Sequence, residues 1–375
     1  MVSLNTNVSA MVAQRHLSTA ASQVAETQKN LSSGFRINSA SDDAAGMQIA
    51  NTLHVQTRGL DVALTNAHSA YAVAETAEGA LEEGSEILQR LRSLSLQAAN
   101  GSNSDEDRQS LQLEVVVLKD EVERIARTTT FAGKNLFDGS YDSKSFHLGA
   151  NSNSISLQLK NMRTHIPEMG GYHYLASEPA DEDWQVDKES RQLSFTFRDS
   201  EGDDQSIKIS LKPGDSLEEV ATYINSQQNV VESSVTDDRR LQFYVANRHA
   251  PDGLNISGSL EGELDFESQG QVTLDDLDIS SVGGAQLAIA VVDTAIQYLD
   301  SHRSEIGSFQ NRVEGTMDNL QSINRNVTES KGRIWDTDFA KASTALVKSQ
   351  VLQQATSALL AQAKQAPGSA IGLLS

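Results

Sequence analysis

No cysteine occurs in the 375 residues, prolines number 5, and aromatic residues make up 5%. The first absence excludes a disulfide framework, thiolate metal sites and a cysteine nucleophile together. Basic residues are also outnumbered: 30 Lys and Arg stand against 51 Asp and Glu, a formal net charge of −21. Duplex nucleic-acid binding needs a basic face, so no nucleic-acid partner is expected. Mean hydropathy is −0.39, and no apolar run approaches the roughly 18–20 residues of a membrane span, so no membrane insertion is expected. The opening Met1-Val2-Ser3-Leu4-Asn5-Thr6-Asn7 is polar and lacks the basic-then-apolar pattern of a secretory signal. By these rules alone a cytoplasmic protein is expected. The length exceeds the roughly 250–300 residues at which one core stops growing, so the chain should divide into domains.

What charge there is lies unevenly. Tyr172 to Asp276 holds 23 Asp and Glu against 8 Lys and Arg, a net of −15. Such a step in composition marks a domain boundary. Neither Asp181-Glu182-Asp183 nor Glu201-Gly202-Asp203-Asp204 has the D-x-D-x-D-G spacing and distal Glu that wrap a calcium ion.

The N-terminal third reads as helix. Leu17, Ala21, Val24, Gln28 and Leu31 fall at 4-3-4-3 spacing, and Ser33-Gly34 breaks the pattern. Asn38 to Asp43 is rich in capping residues and starts a second helix, carried by Leu60, Leu64, Ala67, Tyr71, Ala74, Leu81 and Leu88. Unbroken from Asp43 to Ala99, it would be about 80 Å long. Asn100-Gly101-Ser102-Asn103 ends it, and Ser104 with Asp107 resembles a capping box. Leu111, Val115, Leu118, Val122 and Ile125 mark a third helix. Near the other end, the seam from Val292 through Leu299, His302, Ile306, Phe309, Val313 and Leu320 to Ile334 keeps a 3-4 repeat, as in helices supercoiled side by side. A packed role is expected for His302. The last helix carries Leu352, Ala355, Leu359 and Ala363, with Pro367-Gly368 as its expected stop.

The middle changes period. Leu193–Phe197 and Ile207–Leu211 alternate as strands do, Lys212-Pro213-Gly214-Asp215 is a turn, and Ser216 with Glu219 makes a capping box. Leu217, Val220, Ala221 and Ile224 give one helix face, and Val231–Val235 and Leu241–Val245 read as two more strands. The fold class is therefore α+β: a discontinuous long-helix, coiled-coil bundle built from both chain ends, with an inserted small β-β-α-β-β domain. The two terminal segments have narrow apolar stripes. Isolated helices of that kind are marginal in water, so the ends are expected to be mostly disordered in the free monomer and to fold on packing against neighbours.

Leu31-Ser32-Ser33-Gly34-Phe35-Arg36-Ile37-Asn38-Ser39-Ala40-Ser41-Asp42-Asp43-Ala44-Ala45-Gly46 resembles the N-terminal signature of bacterial flagellin. Asp336-Thr337-Asp338-Phe339-Ala340, Gln350 to Ala355, Leu359 to Ala363 and the Leu373-Leu374 ending resemble its C-terminal signature. Gly214 to Asn225 is similar to a small repeat found inside many flagellins. Trp335 departs from the pattern, standing where flagellins usually carry a polar or charged residue; Gly372 is a milder departure.

The resemblance implies a structural subunit, with no cofactor, that polymerises into the filament turned for swimming. It implies a terminal coiled-coil core of residues 1–40 and 336–375 around an axial channel, with Leu17, Val24, Leu31, Phe339, Leu352 and Leu359 as assembly residues. It implies a helical rod of 41–171 and 277–335 with a β-hairpin, and a solvent-facing insert of 172–276. Implied partners are other copies of the chain, an export chaperone at about Thr337 to Gln365, filament cap and junction proteins, and the flagellin-sensing Toll-like receptor. Gln89-Arg90-Leu91-Arg92-Ser93-Leu94 with Glu114 matches the receptor contact motif, giving Gln89, Arg90, Leu94 and Glu114 as contact residues. Export unfolded through a flagellar type III channel then replaces the cytoplasmic expectation with an extracellular one. A hook–filament junction protein is the alternative. An insert metallopeptidase would need H-E-x-x-H, and neither His173 nor His249 begins one.

Overall fold

The computed structural model describes residues 6–149 and 154–372, with side chains as far as residue 365. The Leu373-Leu374 ending lies outside the described residues. In chain order the elements begin with α1 (Val8–Ser33), α2 (Ala44–Ala98) and α3 (Asp105–Thr128). Two hairpins follow, β1 (Thr130–Phe131) with β2 (Lys134–Asn135), and β3 (Ser143–His147) with β4 (Ser154–Gln158). Next come β5 (Gly171–Ala176), β6 (Gln192–Arg198), β7 (Asp204–Ser210), α4 (Leu217–Gln227), β8 (Val231–Val235), β9 (Leu241–Ala246), β10 (Asn255–Ser257), α5 (Glu261–Leu264) and β11 (Phe266–Val272). Two helices close the chain, α6 (Val282–Trp335) and α7 (Phe339–Gly372).

The helix boundaries follow local chemistry. Asn7 starts α1 by accepting from Ala10 N at 3.0 Å, and Gly34 ends it at φ 76°, a left-handed conformation that costs glycine little. Asp43 Oδ1 accepts from Gly46 N in the first turn of α2. Ser104 and Asp107 form a complete capping box on α3, as do Ser216 and Glu219 on α4. One expectation fails: α7 continues through Pro367 and Gly368 to Gly372. Pro367 has no N–H to offer Ala363 O, and that carbonyl instead accepts from Asn7 Nδ2 at 2.6 Å.

The chain divides into two units. The first takes the chain ends, up to Thr65 and from Thr316, with a short piece after Leu148. Its helices pack in two pairs. Leu60 and Ala63 of α2 bury against Leu320 and Val327 of α6, with Leu53, Leu64 and Ile323 at the margin. The other pair is α1 with α7.

The second unit comprises Asn66–His147 and Ser154–Gly315. Its helical part buries Ala67, Ala70, Ala74, Leu81, Leu88 and Leu91 of α2, Val115, Val122 and Ile125 of α3, and Val292, Ala295, Leu299, Ile306, Phe309 and Val313 of α6. Small residues allow close helix approach: a Cβ at Gly84 would stand 3.0 Å from Met162 Cε and 3.2 Å from Leu299 Cδ2. The start of α6 corrects the expectation about apolar runs. An 18-residue window there has hydropathy 1.3, enough by length and composition for a membrane span, but half of that window is buried inside the protein.

The expected strands form, though not as one β-β-α-β-β sheet. β6, β7 and β10 make a three-stranded sheet in the order β10-β6-β7; β5, β8, β9 and β11 make another in the order β11-β5-β9-β8, all antiparallel. Phe195, Phe243, Leu241, Val220 and Ile224 are fully buried in the shared core. The Phe195 and Phe243 rings meet edge to face, 5.1 Å apart. β5 and β11 close the insert, with Gly171 opposite Val272.

Candidate assembly surface

α1 and α7 run antiparallel. Asn7 Nδ2 donates to Ala363 O at 2.6 Å at one end, and Thr337 N donates to Gly34 O at 2.9 Å at the other. On α1, Leu17, Ala20, Ala21, Val24, Thr27 and Leu31 are wholly or half buried, while Gln28 is exposed. Leu17, Val24 and Leu31 therefore lie on the packed stripe. On α7 the packed stripe recurs every three or four residues: Ala342, Leu346, Ser349, Gln353, Thr356, Leu360 and Ala363.

That stripe mixes Ser349, Gln353 and Thr356 with Leu346 and Leu360. Val347 (59%), Val351 (58%), Leu352 (43%) and Leu359 (56%) are exposed, while Ser349 is buried. Phe339 stands free at the first turn, and Val8, Met11 and Val12 are exposed on α1. Phe339, Leu352 and Leu359 thus face away from α1, unlike the three residues expected of α1 itself. A helix that packs Leu346 and Leu360 but leaves Val347, Val351, Leu352 and Leu359 exposed keeps a second apolar surface for another body. Val347, Val351, Ala355 and Leu359 recur every four residues, a signal the sequence reading passed over. Apart from Glu26 the pair carries cations only, Arg15 and Lys29 on α1 and Lys341, Lys348 and Lys364 on α7. In the structure each of the two helices covers one stripe of the other.

The break between α1 and α2 meets the break between α6 and α7. Phe35 bridges Asp336, Arg36 N donates to Trp335 O at 2.7 Å, and Arg36 Nη2 donates to Ile334 O at 2.6 Å. The Phe35 and Trp335 rings stack tilted at 5.4 Å. Trp335, the departure in the sequence, thus forms part of this joint. Asp42 closes the loop by accepting from Asn38 N and Ser39 N, which lowers its carboxyl below the usual range.

In the second unit, Gln89 and Arg90 are exposed on α2. Arg90 Nε and Nη2 bond Glu114 Oε1 at 2.9 and 2.7 Å. Both partners are about half exposed, and such surface pairs contribute only about 0–1 kcal/mol. Arg92 forms a forked pair with Asp293 at 2.5 and 3.2 Å. Leu94 is 1% exposed, so it supports the helix from within and offers no surface. His302 is buried, edge-on to Tyr298, with Nδ1 3.4 Å from Glu305. Burial pushes its pKa down, and nearby Lys160 adds to that, against Glu305. Among the described residues no cluster of three His, Cys, Asp or Glu could hold a metal ion.

Comparison with known proteins fits this arrangement. Models of the bacterial flagellin N-terminal and C-terminal helical regions match residues 4–142 and 289–374, and a flagellin hook IN motif matches 192–247. Polar flagellin E of Vibrio parahaemolyticus is 68% identical over 375 residues, all of both chains. Flagellin D of Vibrio anguillarum is 52% identical, and flagellin D of Vibrio cholerae 50% identical, each over 100% of this chain and 99% of the relative. Among solved structures, FliC from Burkholderia pseudomallei is 21% identical with TM-score 0.38, covering 65% of this chain and 99% of its own. The hook-associated protein-3 of Legionella pneumophila is 13% identical with TM-score 0.45, covering 76% and 98%.

Proposed function

The chain belongs to the bacterial flagellin family and is a structural, non-enzymatic subunit of the flagellar filament; from that premise we propose that the outward apolar stripe of α7 is its main surface for other copies. The observation that carries this is a second apolar stripe on α7, with Val347, Val351, Leu352 and Leu359 left outside while the stripe from Ala342 to Ala363 packs. A contact between unlike surfaces that does not close on itself generates a helical polymer. In this reading residues 1–40 and 336–375 form the core around an axial channel, 41–171 and 277–335 the rod, and 172–276 the solvent-facing insert. The −15 of the insert then lies at the filament surface, away from the weakly basic helices that must pack. Full-length identity to flagellins favours this over a junction protein.

The same exposed stripe suits an export chaperone over about Thr337 to Gln365 before assembly, and the filament cap and junction proteins are its neighbours at the filament ends. Export through the flagellar type III channel would place the subunit outside the cell. For the flagellin-sensing Toll-like receptor, the accessible residues are Gln89, Arg90 and Glu114, with Leu94 supporting them from below. Replacing Arg90 and Glu114 with Ala tests the receptor reading: signalling by purified monomer should fall while filaments still form. Unchanged signalling would overturn it. Deleting residues 346–375 tests the assembly reading, and a truncated chain that still makes long filaments would refute it.

A further inference from the structure

Asn100-Gly101 is the sole Asn-Gly pair in the sequence, and it sits at the exposed turn between α2 and α3. Asn100 Oδ1 accepts from Ser102 N at 3.2 Å. That bond folds the side-chain carbonyl back over the intervening Gly101 amide and polarises it. The Gly101 N–H has no hydrogen-bond partner among the described residues, and a Cβ built on Gly101 meets nothing within 4 Å. The nucleophile is therefore free, unshielded and held beside its electrophile.

We infer that Asn100-Gly101 is a site of spontaneous deamidation, by which this chain records its own age. Gly101 N attacks Asn100 Cγ, the N–Cγ bond forms, and the Cγ–Nδ2 bond breaks. The amide proton leaves with Nδ2 as ammonia. Solvent water then opens the five-membered imide at either carbonyl, giving aspartate or isoaspartate. No oxidant or enzyme is needed. Each product places a new carboxylate at the carbonyl end of α2, where negative charge is unfavourable. Isoaspartate also lengthens the backbone of a turn clamped by Arg108, whose Nε donates to Ala98 O at 3.0 Å and Nη2 to Asn100 O at 3.4 Å.

Two neighbours serve as controls. Asn103 lies in the same turn, but its Nδ2 is engaged with Gln97 O at 2.5 Å and serine follows it. Asp138-Gly139 has the same turn geometry, with Asp138 Oδ1 accepting from Ser140 N at 2.9 Å. Its carboxyl is held ionised by the Ser140 hydroxyl and Asn135 amide, and a carboxylate is a poor electrophile.

The test incubates the purified full-length chain at mildly alkaline pH and maps peptides for deamidation and isoaspartate over time. Asn100 should convert first, ahead of Asn103 and of isomerisation at Asp138. Gly101→Ala, whose Cβ enters open space, should convert roughly tenfold more slowly because the added carbon restricts the approach of the amide. Asn100→Asp, carrying the charge without the longer backbone, separates the two consequences in a melting measurement. An Asn100 that stays intact while other asparagines convert, or a Gly101→Ala chain converting at the original rate, would overturn the inference.

Discussion

Replacing Val351 and Leu359 with Gln should raise the critical concentration for filament growth without unfolding the monomer. The residues are 58% and 56% exposed, so a little over half of each remains for a neighbour to cover. Complete burial of a Val or Leu side chain stabilises by about 1.5–3 kcal/mol, so the uncovered share is about 1–1.5 kcal/mol each. Losing both costs about 2–3 kcal/mol per added subunit, which is roughly a 30- to 150-fold rise in critical concentration. Glutamine is a good helix former, and exposed substitutions usually change stability by no more than about 0.5 kcal/mol. Sedimentation across a dilution series gives the critical concentration, and circular dichroism gives the monomer helix content. Growth at the original concentration, with helix content intact, would refute the assignment of this stripe.

Other outcomes follow from the geometry. Ser216→Ala removes the α4 cap and should lower the stability of the insert by about 1 kcal/mol in denaturant titration. Gly34→Ala forces a side chain into φ 76° and should cost about 1 kcal/mol, read as faster amide exchange at the end of α1. His302 is held neutral by burial, with its pKa below 6.5. The unfolded chain then binds the extra proton first, so stability is complete above pH 6.5, declines as pH falls towards the lowered folded value, and is flat below it. His302→Gln should remove that part of the acid dependence in melting curves.

Much of this was legible in residue order because the signals are local. Caps at Ser104 and Ser216, the glycine at 34 and the seam from Val292 to Ile334 each act within a few turns, and each appears where its spacing puts it. Strand pairing was not legible. β5 and β11 join residues about a hundred positions apart, β11 carries a bulge between Ser268 and Gly270, and its sequence Phe-Glu-Ser-Gln-Gly-Gln-Val shows little alternation. The direction of α7 was legible only in part. Two stripes compete on it, and both carry leucines; beside the non-covalent joint of Phe35 and Trp335, the one holding Ser349, Gln353 and Thr356 is the one that packs. Leu94 was misjudged as surface for a similar reason, since a motif match conveys which residues are present but not which way a helix is rotated.

The absence of cysteine makes the most direct test of the central claim simple, because any introduced thiol is unique. Val351→Cys, treated with a thiol-reactive probe as monomer and as filament, reports whether another copy covers the outward stripe of α7. Ser200→Cys, on the exposed insert, is the reference. The account predicts that Val351→Cys reacts readily in the monomer and is protected in the filament, while Ser200→Cys reacts alike in both. Equal reactivity of Val351→Cys in monomer and filament would contradict it.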